Sequence, residues 1–236
     1  MKVFFDHEQP ESTNISTFFF EPEEPVSYTA GQFIELTIPH ENPDERGIKR
    51  WFTISSSPTH ELLSITTQFT KANGSSFKEA LRNLTSGIAV SISNPMGDFV
   101  LPKLMQTPLI FVAGGVGVTP FHSIFSWMTD MHESRPIKFL YAVPTEDEII
   151  FQDTFERADI HATIVVEQPS SAWGGVRGIV TADMILGLKQ PTKDTLIYIS
   201  GPELLVDTLY DSLRKAGISH QQIVTDEFSG YKKKFN

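Results

Sequence analysis

LIFVAGGVGVTP, residues 109–120, is the stretch on which the fold turns. Leu109 to Ala113 is short, continuous and apolar, and turn residues follow at once, as in a parallel strand buried on both faces. Gly114, Gly115 and Gly117 do not supply the third glycine of G-x-G-x-x-G, and the chain has no G-x-x-x-x-G-K-[ST], so neither standard phosphate loop is present. Pro120 suits the first turn of a helix, where its missing N–H costs nothing, and Thr119 is placed to be the N-cap. Two readings stand. A dinucleotide lies across a glycine surface facing a helix N-terminus, whose free N–H groups favour anions, or the glycines serve only a tight strand-to-helix turn.

Downstream, LIFVAG, IKFLYAV, HATIVVE and TLIYISG alternate with helical stretches such as PFHSIFSWMTDM, FQDTFERA, TADMILGL and ELLVDTLYDSLRKAG. This is the α/β alternation of a parallel sheet. Ligands of such sheets bind at the carboxyl ends of the strands, here the loops GGVGVTP, VPTED, VEQPSS and SGPE. Upstream the grammar differs. STFFFEP, QFIELTIP, RWFTISSSP, LLSITTQFT and IAVSISNP are short alternating runs between Gly, Pro and Asn turns, which predicts an antiparallel barrel or sandwich from Ser12 to about Leu101. One helix is expected within it, at 75–84, with Phe77, Ala80, Leu81 and Leu84 at helical spacing. The boundary falls at 103–107, which divides the chain into residues 1–104 and 105–236.

The composition excludes several classes. A net charge of −10 argues against a nucleic-acid surface, which needs clustered Lys and Arg; KKK at 232–234 is the one basic run and reads as a solvated tail. No segment has the ~20 apolar residues of a membrane span, and MKVFFDHEQP lacks the pattern of a signal peptide, so a cytoplasmic location is expected. With no cysteine there is no thiolate nucleophile and no thiolate-held zinc or iron–sulfur centre. The seven histidines are scattered, and no metal is expected.

RWFTISSSP (50–58), NPMGDF (94–99), AGGVGVTP (113–120), ISGPE (199–203) and TDEFSGY (225–231) occur in one order across these two regions. Together they resemble the ferredoxin–NADP reductase family, and the likeness is closest to its stand-alone bacterial flavin reductases. The resemblance implies an N-terminal antiparallel β-barrel that binds flavin and a C-terminal α/β parallel-sheet domain that binds a nicotinamide nucleotide. The family's R-x-Y-[ST] motif maps to Arg50, Trp51, Phe52 and Thr53: arginine for the pyrophosphate, an aromatic ring for the isoalloxazine and a hydroxyl for flavin N5. Phe52 replaces the usual tyrosine. Gly74, Ser75, Ser76, Phe77 and Lys78 fall where the family sets the pyrophosphate on a helix start, with Lys78 in place of an expected leucine, and this second phosphate site favours FAD over FMN. Backbone groups of Thr67 and Gln68 are implied near the ribityl chain.

The glycine loop, with Gly114, Gly115, Gly117, Thr119 and Pro120, becomes the floor for NADH or NADPH. Ser200, with Gly201 and Pro202, stands where many relatives have cysteine beside the hydride-donating carbon. Asp226 falls on the acidic position of the C-terminal motif, with Glu227 beside it, and Phe228 and Tyr231 are placed to cover the flavin. The implied activity is an FAD-dependent NAD(P)H oxidoreductase that passes a hydride to the flavin and electrons to an acceptor such as ferredoxin or flavodoxin. The alternative is a flavin- or nucleotide-binding docking or regulatory subunit. Glu167, supported by Glu146, Asp147 and Glu148, leans the nucleotide towards NADH, because carboxylates suit a ribose diol and repel a 2′-phosphate; Arg177 is the cation that opposes this.

Overall fold

The computed structural model describes residues 1–69, 75–188 and 190–228. Gly74, Tyr231 and the lysine run 232–234 lie outside these residues, as do the side chains of Glu227 and Phe228.

Strands β1 (Lys2–Pro10), β2 (Ile15–Pro22), β3 (Phe33–Thr37), β4 (Lys49–Thr53), β5 (Leu63–Gln68) and β6 (Ala89–Ile92) form one antiparallel sheet in the order β4-β3-β6-β1-β2-β5. Just past β4, Ile54 bridges Ile65 and the Ser55 N–H donates to Ser64 O at 2.8 Å, which joins the two edges into a barrel. The interior comes from residues two apart on each strand, such as Val3 and Phe5, Phe18 and Phe20, Ile34 and Leu36, and Leu63 and Ile65. Period-two spacing puts each pair on one face of its strand. Helix α1 (Ser76–Arg82) adds Phe77 and Leu81 to that interior.

Strand β1 was not expected from the sequence. It lies inside the sheet, but its register shifts between Phe5 and His7, so the alternation breaks where the polar residues begin.

The second sheet is parallel throughout. Its strands β7 (Leu109–Gly114), β8 (Ile137–Val143), β9 (Ala162–Val166), β10 (Val176–Arg177), β11 (Leu196–Pro202) and β12 (Ile223–Phe228) take the order β10-β9-β8-β7-β11-β12. All six residues of β7 are buried, as expected for a strand covered on both faces. Helices α2 (Thr119–Asp130), α3 (Gln152–Arg157), α4 (Ala182–Leu188) and α5 (Glu203–Lys215) connect the strands. Thr119 is not the N-cap of α2. A 3₁₀ turn over Gly115–Val118 precedes the helix, Val118 holds the cap position, and Thr119 is the first helical residue. Gly115, at φ +53°, lets the chain wind directly out of β7, so the helical path begins four residues early.

The two sheets share one core. Ile15, Ala30 and Phe99 from the barrel side pack with Phe121, Ile124, Phe125 and Met128 of α2. The Tyr198 hydroxyl donates to Val100 O at 2.7 Å and Ser123 Oγ to Ser56 O at 2.6 Å across the same junction. Among the described residues, no helix is long and apolar enough to cross a membrane.

Candidate functional site

The carboxyl ends of the parallel strands border a cavity of about 220 Å³, lined by Gly114, Gly115, Val143, Glu167, Pro202 and Leu205 among others. Its floor requires glycine. A Cβ on Gly117 would stand 2.4 Å from Ser200 O and 2.5 Å from Gly201 Cα, so the turn after β7 presses directly on the end of β11. At Gly115 nothing lies within 4 Å of the point where a methyl group would project, and the surface there is open.

Two carboxylates face this cavity. Glu167 is exposed at the end of β9, and Glu148 follows β8. Burial pushes the Glu148 carboxyl above the usual carboxylate range, with the charge of Asp147 adding to it, against the hydrogen bond from Gln68. That bond, from Gln68 Nε2 to Glu148 Oε2 at 2.7 Å, ties the barrel to the parallel sheet at the cavity wall. It involves a side chain of Gln68, whereas the sequence implied only backbone groups. Glu146 is engaged elsewhere, accepting from the Ser170 N–H at 2.7 Å, and Asp147 accepts from Thr13 Oγ1 at 3.4 Å. Arg177 donates to Trp173 O at 2.5 Å and is exposed; it is absent from the cavity wall.

Next to the glycine floor, three segments distant in sequence converge. Thr53 Oγ1 donates to Asp226 Oδ2 at 3.3 Å, and Ser200 Oγ reaches the same oxygen at 3.5 Å. Parallel pairing of β11 with β12 sets Ser200 opposite Asp226, and pairing with β7 sets it opposite Ala113. Ser200 is fully buried and Thr53 nearly so. The expected trio Thr53, Ser200 and Asp226 is therefore brought together, with Asp226 the acid whose carboxylate reaches it.

The barrel side differs from expectation. Phe52 is 7% exposed and packs in the barrel interior, its ring 5.8 Å from that of Phe77. Arg50 lies on the same side of β4, its guanidinium 5.2 Å from the Phe77 ring. Trp51 points the other way, 64% exposed and stacked on Phe33 at 5.3 Å. Phe52 and Phe77 serve the core: period two places Phe52 with the barrel's interior residues, and α1 turns Phe77 into the same cluster.

Arg50 already has partners. Its Nη1 donates to the carbonyls of Arg46, Gly47 and Lys49 at 2.8, 3.0 and 2.6 Å, and its Nη2 donates to Asp44 Oδ1 at 2.8 Å. Only Nε is buried without a hydrogen-bond partner among the described residues. Ser75 is the N-cap of α1 and accepts from the Lys78 N–H at 3.4 Å. Ser76 Oγ accepts from the Asp44 N–H at 2.8 Å and lies 3.0 Å from His40 Nε2. Lys78 Nζ donates to Gln68 O at 2.6 Å, so this implied ribityl contact is met from within the chain. Thr67 is buried in β5. Asp44 was missed by the sequence reading; an acid six residues before the motif arginine, in the turn-rich run NPDERG, was the available signal. Among the described residues, no group of three His, Asp or Glu is placed to hold a metal.

The oxidoreductase NAD-binding domain family matches residues 111–210, the region of the glycine floor and the cavity. Residues 111–210 are thus similar to an oxidoreductase NAD-binding domain, in the region where the resemblance to the ferredoxin–NADP reductase family implied nicotinamide binding. Two curated relatives extend the likeness over the barrel. Flavohemoprotein A of Dictyostelium discoideum is 26% identical over 94% of this chain and 59% of its own length. The stachydrine N-demethylase reductase subunit of Rhizobium meliloti is 25% identical over 92% and 65%. The chain thus spans roughly three-fifths of these relatives. Among solved structures, the FAD/NAD-binding domain of the Vibrio cholerae nitric oxide dioxygenase superimposes with a TM-score of 0.82 at 20% identity, covering 96% of this chain and 98% of that one. A Neisseria gonorrhoeae ferredoxin NADP⁺ reductase gives 0.79 at 18%, covering 96% and 98%. These structural likenesses carry the two-sheet fold.

Proposed function

We propose that this chain is an FAD-dependent NAD(P)H:acceptor oxidoreductase, with a barrel domain at 1–104 and a nucleotide domain at 105–236. The observation that supports it best is the meeting of Thr53, Ser200 and Asp226 beside a glycine floor, at the seam between the two sheets. The residues fit a dinucleotide flavin in part. Arg50 has one buried N–H still unpartnered among the described residues, and hydroxyls cluster at the seam, while Phe52 offers no exposed ring. In this reading Arg50, Ser75 and Ser76 hold the pyrophosphate, with Gly74, Phe77 and Lys78 around it and Thr67 and Gln68 near the ribityl chain. Trp51, Phe228 and Tyr231 border the ring system. When bound, the flavin supplies two-electron acceptance from a nicotinamide and one-electron release to an acceptor.

The chain's own residues supply position. Gly114, Gly115 and Gly117 are the floor for the dinucleotide, with Thr119 and Pro120 near its nicotinamide end and Gly201 and Pro202 beside them, and reacting atoms brought to ~3–3.5 Å gain most from that alignment. Thr53 Oγ1 offers its hydrogen to Asp226 Oδ2, which makes Asp226 the acid placed at the seam, and Glu227 is its neighbour in sequence. Ser200, in the place of cysteine, keeps the volume and adds a stronger hydrogen-bonding group. Glu148 and Glu167 on the cavity wall favour NADH over NADPH. Ferredoxin or flavodoxin is the proposed acceptor, and a cytoplasmic location goes with it. The test is direct: purified protein should be yellow, release FAD on heating, and bleach anaerobically with NADH.

A second reading, a flavin- or nucleotide-binding docking or regulatory subunit, is favoured by one observation, the internal engagement of Arg50 by Asp44. Colourless protein that takes up no FAD on titration carries that reading instead.

A further inference from the structure

We propose that Asp44 is an internal counter-ion that holds Arg50 and is expelled when a flavin diphosphate binds, so that loading is an exchange of anions. This rests on the assignment of Arg50 to the flavin pyrophosphate. One carboxylate gathers donors from three segments. Asp44 Oδ1 accepts from Arg50 Nη2 at 2.8 Å and from the Arg46 N–H at 2.9 Å, and Oδ2 accepts from Arg46 Nη2 at 3.1 Å and the Ser76 N–H at 3.3 Å. Guanidinium groups and backbone N–H groups are the donors that a phosphate oxygen takes.

The fit of the carboxylate is incomplete. Arg50 is 15% exposed at its side chain, yet its Nε stays buried without a partner among the described residues, so one donor of the fork is left for a ligand with more oxygens. The surroundings remain electropositive with Asp44 in place. Burial first, and then the charges of Arg46 and Arg50, push the Lys78 ammonium down to about 8. A diphosphate brings more negative charge than the carboxylate it replaces.

The loop carrying Asp44 is built to leave. Glu41, Asn42 and Pro43 are exposed, and Asn42 takes a left-handed turn conformation at φ +50° that asparagine tolerates. Its ties to α1 are the polar contacts of His40 and Asp44 with Ser76, which water can replace, and the edge of the His40 ring against Phe77 at 6.4 Å. Outward movement of Asp44 unpacks no apolar side chain of the loop, and the Arg50 bonds to the carbonyls of Arg46 and Gly47 do not involve its carboxylate. The apparent affinity for flavin is the intrinsic affinity multiplied by the fraction of protein in which Asp44 is already away, so a larger fraction binds more tightly.

The test compares wild type, Asp44→Asn, Arg50→Ala and the double variant, titrating each apoprotein with FAD by flavin fluorescence and melting each without FAD. Displacement requires opposite signs: Asp44→Asn lowers the melting temperature of the apoprotein yet binds FAD about tenfold tighter, the scale of one charge-assisted hydrogen bond. An unchanged or weaker affinity in Asp44→Asn, with Arg50→Ala still losing affinity, overturns the displacement and leaves Arg50 as flavin anchor. Arg50→Ala without effect in either background overturns the Arg50 assignment and the displacement with it. No binding by any of the four proteins overturns both.

Discussion

The barrel side and the parallel-sheet side of the seam prepare for a nucleotide in opposite ways. Around Arg50, charge is matched inside the chain, by Asp44 and by the carbonyls of Arg46, Gly47 and Lys49. At the end of β7 the surface is bare: glycines, an open volume, and two carboxylates facing it. A site that is self-paired admits ligand by exchange, and its affinity is a difference between two sets of contacts. A site floored by backbone admits ligand directly, and its weakness is steric. Substitutions on the two sides should consequently fail for different reasons.

The largest effect is expected at Gly117. Gly117→Val would force β-carbon contacts of 2.4–2.5 Å against the backbone of β11, an overpacking worth about 3 kcal/mol. This corresponds to roughly 6–12 °C in melting temperature for a chain of this size. Calorimetry and NADH titration should show both stability and nucleotide binding reduced, with flavin occupancy retained at temperatures below the transition. Retained NADH affinity would break the comparison, since the floor would then be dispensable.

Arg50→Ala comes next. Loss of one charge-assisted partner, ~1.5–3 kcal/mol, should weaken FAD by roughly ten- to a hundred-fold without changing KM for NADH. Dialysis followed by absorbance at the flavin band reads the occupancy. A variant that keeps full flavin shows that the internal partners are Arg50's only role.

Glu167→Ser should move the ratio of kcat/KM for NADPH over NADH upward by about tenfold, as removal of one like charge a few ångströms from a phosphate would give. An unchanged ratio means that Glu167 points away from the ribose and that Glu148 or Arg177 sets the preference.

Lys78→Met is expected to have the smallest effect. The folded value of about 8 lies below the unfolded value near 10.4, so between these the unfolded chain binds more protons and stability rises with pH. Below pH 8 both states are protonated and the contribution is flat. Urea unfolding at pH 7.5 and pH 9.5 should show this rise in wild type and a smaller one in Lys78→Met. Equal rises would place the ammonium in solvent.

Much of this architecture was legible in the sequence because it is local. The apolar run 109–113 with its glycines, the strand-to-helix alternation after it, and the two-residue spacing of Phe18 with Phe20 or Ile34 with Leu36 all express periods that a single segment carries. Strand β1 was illegible because a register shift breaks its alternation at His7, and β10 because two exposed residues make no pattern. At the site, the convergence of Thr53, Ser200 and Asp226 was expressed through motif order, although they are far apart in the chain. Phe52 misled, since an aromatic in a strand can face either side, and only the packing against Phe77 fixes which. The Gln68–Glu148 bond was beyond reach because a polar pair is formed by geometry between segments, and neither partner's residue type marks it in advance.

The core that joins Ile15, Ala30 and Phe99 to Phe121, Ile124 and Phe125 has a consequence for how the molecule comes apart. Severing the chain between 104 and 105 would leave an oily face on each piece, with the Tyr198 and Ser123 hydroxyls stripped of their carbonyls. Because each half covers the other's apolar face, the two are expected to melt in a single transition, and calorimetry showing two would mean that the seam opens first.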